Sequence, residues 1–356
     1  MTRPARVIVD VSAVRANFEV VQRCAPGARI IAIVKADAYG HGVERIAAAL
    51  ADRTDAFGVA SLEEAIKLRR ANIQQPIVLL EGPFAQDEIN EIANFSLETV
   101  VHTSQQAEWL SNSEHSIDVW VKIDSGMHRL GFRAADVELV VASLDRPGRS
   151  VRFMTHLASA NHHNDESVDR QVREFYAVKE TREAQCSIAN SGAILGWPNL
   201  KAGWVRPGLM LYGVSPFAGS YGTDHGLIPA MTVESALIAV REVEAGGSVG
   251  YGGGYVCPER MKVGVVAFGY GDGYPRNAGT GTPICVSGTR TQVIGQASMD
   301  MLTVDLRPIK DAAIGDAVVL WGPELPVEEI ADHAGTIPYE LLCRVKMRAR
   351  YVERES

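Results

Sequence analysis

The chain has 356 residues, more than one hydrophobic core normally supports, and 46% of them are hydrophobic, so we expect a globular protein of two domains. Its formal net charge of -8 argues against nucleic acid as a partner, because no basic stripe exists to displace counterions. No apolar run reaches membrane-spanning length and the opening MTRPARVIVD lacks the apolar core of a signal peptide, so we expect a cytoplasmic protein with no membrane partner.

The first strong pattern in chain order is helical. Val14, Phe18 and Val21 recur at a spacing that places them on one helical face. Ser12 is a residue type that caps helix N-termini, and Gly27 is the type that follows helix ends. We therefore predict a first helix between Ser12 and Gly27.

Eight short apolar runs follow, separated by helix-like stretches such as LEEAIKLRRA from Leu62. They are RIIAIVKA from Arg29, AFGVAS from Ala56, PIVLLEG from Pro76, LETVVHT from Leu97, IDVWVKID from Ile117, VRFMTHLAS from Val151, CSIAN from Cys186 and GWVRPGLMLYG from Gly203. Eight alternations predict a closed (β/α)8 barrel of the TIM type that ends near Gly213, with function at the C-terminal ends of its strands.

From about Ala230 the sequence pattern changes from helical periodicity to strands, such as ALIAVREV and VGVVAF, among glycine-rich turns. We therefore predict a barrel domain over residues 12–229 and a β-rich domain over residues 230–356. The opening strand RVIVDV, within residues 1–11, precedes the barrel and could pair with the β domain.

Lys35 ends the first barrel strand, within IAIVKADAYGHG. A lone lysine in such a place is usually ion-paired or snorkelling, but this string resembles the cofactor-lysine motif of alanine racemases. The resemblance implies that Lys35 holds pyridoxal 5′-phosphate covalently and serves as a catalytic base, and that Tyr39 reaches toward the cofactor phosphate.

The segment KIDSGMHRLGF, from Lys122, resembles a second motif of the same family. It implies that Arg129 binds the substrate carboxylate and the cofactor phenolate, and that Lys122 is a candidate carbamylated lysine. An isolated arginine is more often a surface ion pair, yet two-point capture of a carboxylate is what a guanidinium does well.

His156, in THLAS, and Arg206, in WVRPGLMLYG, follow the sixth and eighth barrel strands. A lone histidine there is usually structural. The resemblance places Arg206 at the pyridine nitrogen of the cofactor and His156 between Arg206 and a catalytic tyrosine. A guanidinium keeps its proton, so the ring nitrogen stays largely unprotonated and transamination is disfavoured relative to racemisation.

Four further matches concern the cofactor phosphate, and alone each would be read as an ordinary turn or packed residue. The resemblance assigns phosphate contacts to Ser191 in SIANSGA, to Gly208 and Leu209 after the barrel, and to Tyr339 in IPYELLC. Ser187 stands where some members of the family have histidine.

Racemisation needs a base on each face of the substrate, and Lys35 can serve only one. By resemblance, Tyr251 in SVGYGGGY is the second catalytic base, and Tyr270 in FGYGDGYPR lies beside the substrate. In IGQASMDMLTVD, Met299 offers its N–H to the substrate carboxylate, and Ser298 stands where a cysteine is common. The tail RVKMRARY departs from the usual RVPR-like ending.

The motifs agree in order, spacing and chemistry, so the chain is identified as a member of the alanine racemases, fold-type III pyridoxal-phosphate enzymes. Membership implies an isomerase that interconverts L-alanine and D-alanine by a two-base mechanism, for D-alanine biosynthesis toward peptidoglycan of the cell wall or for catabolism. It also implies a homodimer whose active sites are shared between subunits.

Several alternatives stay open. A serine or broad-specificity racemase is the nearest, although bulky Tyr251 and Tyr339 favour a narrow pocket. A decarboxylase of the same fold would want an acidic partner in place of Arg206, and a non-catalytic pyridoxal-phosphate carrier would not need Tyr251. No metal site is expected: a metal hydrolase would have to use the polar string SANHHNDES, which is typical of a solvated loop and contains His162, His163 and Asp165.

Overall fold

The computed structural model describes residues 3–162, 165–180, 184–345 and 348–354. Eight parallel strands form a closed barrel in chain order. They are β2 (Arg29–Ile33), β3 (Ala56–Val59), β4 (Ile77–Leu79), β5 (Glu98–Val101), β6 (Val119–Lys122), β7 (Val151–Met154), β8 (Cys186–Asn190) and β9 (Trp204–Arg206). The barrel closes where β9 pairs with β2, through Trp204 beside Arg29 and Val205 beside Ile30. The predicted barrel is confirmed.

Helices surround the barrel strands. They are α1 (Val11–Cys24), α2 (Lys35–Tyr39), α3 (Val43–Leu50), α4 (Leu62–Arg70), α5 (Glu88–Asn94), α6 (Ser104–Asn112), α7 (Val137–Leu144), α8 (Glu166–Lys179) and α9 (Ser191–Gly196). The short α2 is a left-handed turn and not a regular α-helix, because residues 36–39 all have a positive φ. Most strand residues are buried, which explains why the strands are near-continuous apolar runs in the sequence.

The first helix buries the predicted apolar face but begins and ends earlier than its sequence signals indicated. The N-cap is Asp10, whose carboxylate accepts the Ala13 N–H at 2.9 Å, and not Ser12, which lies inside the helix and donates its hydroxyl to Asp10. The C-cap is Ala25, so Gly27 follows the helix end at a distance of two residues. The predicted caps were therefore wrong, although the helix exists.

A second, strand-rich unit follows the barrel, as predicted. Its strands are β10 (Met231–Val243), β11 (Ser248–Val249), β12 (Tyr255–Val256), β13 (Met261–Val266), β14 (Pro283–Val286), β15 (Thr289–Gln292), β16 (Leu302–Asp305), β17 (Ala317–Trp321) and β18 (Arg350–Arg354), with helices α10 (Val327–Ala334) and α11 (Pro338–Arg344). The main sheet has the order β15-β14-β17-β10-β1-β18, in which β1 is Arg6–Asp10, and β13 and β16 extend it from β10.

The opening strand β1 (Arg6–Asp10) lies in this sheet and not in the barrel. It runs antiparallel to β10 and parallel to β18, so strands from both ends of the chain lie side by side. The division of the chain into residues 1–11, 12–229 and 230–356 stays a prediction, because strand pairing alone does not set a domain boundary. No helix in the described part of the chain is long and apolar enough to cross a membrane.

Candidate active site

A cavity of about 570 Å³ lies at the C-terminal ends of the barrel strands. Its lining includes ten of the residues singled out in the sequence: Lys35, Tyr39, Lys122, Arg129, His156, Ser191, Arg206, Gly208, Leu209 and Tyr339. The lining also includes three polar residues that the sequence did not single out, Glu81, Asn190 and Cys343. Glu81 could have been found, because it follows a buried apolar run of the barrel and strand ends form the rim; Cys343 had no comparable signal.

The backbone after Lys35 makes a left-handed turn. Ala36, Asp37, Ala38 and Tyr39 all have φ angles between 52° and 54°, a region that residues with a Cβ rarely occupy. Each residue in this left-handed region raises the conformational free energy of the chain by about 1–2 kcal/mol. Tertiary contacts must therefore hold this segment, which directs Tyr39 into the cavity.

His41 supplies part of that support. Its Nδ1 lies 3.0 Å from the carbonyl oxygens of both Ala38 and Tyr39, so Nδ1 carries the proton and donates it to the turn. Its ring stacks on Tyr212 at 4.5 Å between centroids, and Tyr212 stacks on Tyr39 at 4.8 Å. Burial lowers the pKa of His41 to about 4, so the ring is neutral near pH 7. The stack fixes the plane of the Tyr39 ring.

Glu64 and Gly40 hold the two ends of the turn. The Glu64 carboxylate accepts the Ala36 N–H at 2.7 Å, directly after the lysine. Gly40 has a φ of 79°, and a Cβ there would run into the carbonyl oxygen of Leu342 in α11. The glycine thus lets the β domain pack against the turn that presents Lys35.

Positive charge dominates the cavity. Four of the lining residues are lysines or arginines, namely Lys35, Lys122, Arg129 and Arg206, whereas Glu81 is the only lining carboxylate among the described residues. Burial lowers the pKa of Lys122 to about 7, and the charges of the other three cations act in the same direction. Lys122 is therefore close to half-neutral at pH 7, in a cavity suited to anions.

Arg206 is buried and held by hydrogen bonds to its neighbours. It donates from Nη1 to the Ser187 hydroxyl at 2.6 Å and from Nη2 to the Thr155 carbonyl at 2.6 Å. Burial lowers the pKa of Arg206 to about 10, so the guanidinium keeps its charge at neutral pH. The Ser187 hydroxyl thus helps to hold this arginine in place.

His156 lies beside Arg206, with Nδ1 3.4 Å from its Nη2. Because a guanidinium can only donate, Nδ1 is the acceptor and Nε2 carries the proton. Burial, and then the charge of Arg206, hold the pKa of His156 well below its usual value. His156 is therefore a neutral side chain that helps orient Arg206.

A compact polar corner lies where β8 and β9 end. The Ser191 hydroxyl accepts the Gly208 N–H at 2.9 Å, beside Leu209 in the cavity wall. A Cβ on Gly208 would lie 2.6 Å from the Tyr39 hydroxyl, so only glycine leaves room for that phenol. Burial raises the pKa of Tyr39 above its usual range, and that of Tyr339 to about 12, so both phenols stay protonated as donors.

Three predicted site residues lie outside this cavity in the single chain. Tyr251 is 73% exposed and Met299 is 54% exposed, and Tyr270 lies with Met299 on neighbouring loops of the β domain. The structure of one chain does not bring them to Lys35. Of the polar string considered for a metal, His163 lies outside the described residues, as do residues 346 and 347 of the unusual tail.

Comparison with known proteins gives the same family over nearly the whole chain. The family model for the alanine racemase N-terminal domain matches residues 9–216, and the model for the alanine racemase C-terminal domain matches residues 230–353. The chain is 46% identical to an alanine racemase of Halorhodospira halophila, over 98% of each chain.

Solved structures agree with this match. A biosynthetic alanine racemase from Pseudomonas aeruginosa superposes with a TM-score of 0.97 at 41% identity, over 99% of this chain and 100% of the other. An alanine racemase from Bartonella henselae, solved with covalently bound pyridoxal phosphate, gives a TM-score of 0.90 at 26% identity, over 99% of each chain.

Proposed function

Because the chain belongs to the alanine racemase family and is therefore an isomerase, we propose that it interconverts L-alanine and D-alanine with pyridoxal 5′-phosphate as its cofactor. The observation that carries this proposal is the position of Lys35, at the end of a barrel strand and in a cavity lined by three other cations. An amine at that point can bind an aldehyde, and the surrounding charge suits an anionic ring compound.

The residues present fit this cofactor. An anionic phosphate suits the corner where the Tyr39 and Ser191 hydroxyls and the Gly208 backbone meet, because only small groups there leave it open. Arg206 would face the ring nitrogen, and Arg129 would bind the phenolate and the substrate carboxylate. The cavity is lined by four cationic side chains and one carboxylate, so its net positive charge offsets the negative charge of pyridoxal phosphate.

When bound, pyridoxal phosphate supplies an electron sink that makes the Cα proton of an amino acid removable. The Lys35 amine would take or return that proton on one face of Cα. The phenol of Tyr251 would do the same on the other face. Arg206 cannot give up its proton near neutral pH, which limits proton delivery to the wrong carbon.

A homodimer would complete the site. In one chain Tyr251 and Met299 are exposed and lie outside the cavity, although two-base chemistry requires a second base beside the substrate. In a two-fold dimer the β domain of each subunit would cover the cavity of the other, which creates two equivalent shared sites. We further propose that the enzyme works in the cytoplasm, where D-alanine is made for peptidoglycan or broken down.

The direct test is turnover of L-alanine by the purified protein with pyridoxal phosphate, followed by chiral analysis. We expect D-alanine to accumulate until the enantiomers are equal. L-Serine, offered alone and as a competitor, tests the rival specificity. Lack of D-alanine formation by a folded, cofactor-loaded protein would reject the proposal.

The first mutational prediction is that Lys35→Ala abolishes turnover in both directions. It should also abolish the covalent attachment of pyridoxal phosphate, measured by borohydride reduction and mass spectrometry of the peptide. Lys310→Ala, which removes an exposed lysine of the β domain, is the matched control and should retain both properties. Attachment at another lysine in Lys35→Ala would contradict the assignment.

A further inference from the structure

Two loops of the β domain are joined backbone to backbone. The Tyr270 N–H donates to the Ser298 carbonyl at 3.0 Å, and the Gly271 N–H donates to the Met299 carbonyl at 2.8 Å. The peptide between Ser298 and Met299 is planar and trans, so the Met299 N–H points opposite to the Ser298 carbonyl. It therefore points away from the loop of the same chain that carries Tyr270. Among the described residues, that N–H donates to no acceptor in the chain.

Two arginines from opposite ends of the chain hold these loops together. Arg3 donates from Nη2 to the Asp272 carboxylate at 2.7 Å and to the Asp300 carbonyl oxygen at 2.9 Å. Arg348 donates from Nη2 to the Asp300 carboxylate at 2.6 Å, and its Nε lies 3.5 Å from the Asp272 carboxylate. Each arginine therefore bridges both loops, next to Met299.

Asp272 makes this arrangement rigid. Its side chain has 0% exposure and also accepts the Gly269 N–H at 2.9 Å, so it is a buried charge with two guanidinium partners. Removing the partners of a buried charge is strongly unfavourable, unlike the loss of a surface ion pair. Gly271 leaves the space for Arg348, because a Cβ there would clash with its guanidinium.

We propose that Arg3 and Arg348 are positioning residues that fix the direction of the unpaired Met299 N–H, so that it binds the substrate carboxylate in the cavity of the partner subunit. This inference rests on the proposed function, since it needs a substrate with a carboxylate and a shared site. Neither arginine touches the substrate: each acts through Asp272 and Asp300. The C-terminal tail RVKMRARY thus contributes to the site through Arg348, which holds the two loops together.

The proposal separates substrate binding from cofactor binding. Arg3→Gln and Arg348→Gln, alone and together, leave the barrel cavity and Lys35 intact. We expect each single change to raise KM for L-alanine several-fold and the double change to raise it about tenfold or more, which is the range for lost charge-assisted hydrogen bonds. The dissociation constant of pyridoxal phosphate should stay within about twofold of wild type.

Hydrogen exchange supplies a readout that does not depend on activity. Peptides that cover residues 298–301 should exchange faster in both single variants, and Arg348→Lys, which keeps the charge, should restore part of the protection and of KM. Arg307→Gln is the matched control, because Arg307 makes a similar pair with Asp305 in the same domain, away from these loops.

Three outcomes would overturn the inference: unchanged KM and exchange in the double variant, an equal loss of cofactor affinity, or dissociation of the dimer in sedimentation at concentrations where wild type is intact. Failure of the proposed function is separate, because wild type itself would then not convert L-alanine. In that case the faster exchange would still report the loop contacts, while the assigned role in binding a substrate carboxylate would be lost.

Discussion

The charge of the buried Lys122 side chain is sensitive to pH near neutrality. It lies at the end of β6 with three cations around it, and burial lowers the pKa of its amine to about 7. As pH falls below about 7 the Lys122 amine gains a positive charge close to Arg129 and Arg206, whereas above pH 7 it loses that charge. Conversion of Lys122 to a carbamate would replace that charge by a negative one and would neutralise part of the repulsion.

We therefore predict carbamylation of Lys122 that depends on pH. Carbon dioxide reacts with a neutral amine and not with an ammonium, so the modification should grow as pH rises through about 7 and fall away at about pH 6. Carbon-13 NMR of the protein in labelled bicarbonate should show a carbamate signal at about pH 8.5 that is absent in Lys122→Gln. A signal of equal strength at both pH values, or one that persists in the variant, would contradict the prediction.

At the scale of one element, the left-handed turn after Lys35 depends on contacts from other parts of the chain. Gly40 and Gly27 both have a positive φ, of 79° and 76°, but only a Cβ on Gly40 would meet protein atoms, in α11. An alanine at either glycine would meet the same backbone strain, but only at Gly40 would it also meet a steric clash. The two substitutions can therefore be compared to measure the clash alone.

We predict that Gly27→Ala costs about 1 kcal/mol of unfolding free energy, from its positive φ alone. Gly40→Ala should cost about 1–3 kcal/mol more, because α11 must shift away from the turn. It should also weaken pyridoxal phosphate binding, since Tyr39 and Tyr339 lie on the two sides of that contact. Urea unfolding and cofactor titration measure these effects. Equal losses in the two variants would show that the contact with α11 does not hold the turn.

Sequence patterns predicted the barrel strands but not the left-handed turn after Lys35. The eight barrel strands were predictable because burial on both faces leaves apolar runs. The turn was not, since nothing in KADAY favours a left-handed conformation, and it exists because His41, Glu64 and α11 hold it. The cap of α1 was misassigned because Asp10 and Ser12 are both good caps, and only the structure shows which carboxylate or hydroxyl faces the free N–H groups.

At the scale of the whole molecule, the predicted site divides into two sets of residues. Nine reach one cavity because parallel strands of a barrel end on the same rim, and Tyr339 reaches the same cavity from α11. Tyr251, Tyr270 and Met299 do not reach it, because they are carried on loops of the β domain. Motifs predicted the residues of both sets, but no pattern in the sequence predicts whether the second set completes the cavity of its own chain or that of another copy.

The shared site can be tested by complementation. In a heterodimer of Lys35→Ala with Tyr251→Phe, one site carries both changes and the other has Lys35 and Tyr251 intact. Random mixing of subunits makes about half of the dimers hybrids, so roughly a quarter of all sites should be active if the two sites work independently. Each single variant alone should be inactive.

The experiment is joint refolding of the two variants, with separately refolded and then mixed samples as the control for leftover activity. Different affinity tags on the two subunits allow the hybrids to be isolated, which shows directly that they formed. Isolated hybrids should then have about half the wild-type activity, since one of their two sites is intact. If isolated hybrids are inactive, Tyr251 must act on the cavity of its own chain or have no catalytic role, and the two-fold arrangement proposed for the site is wrong.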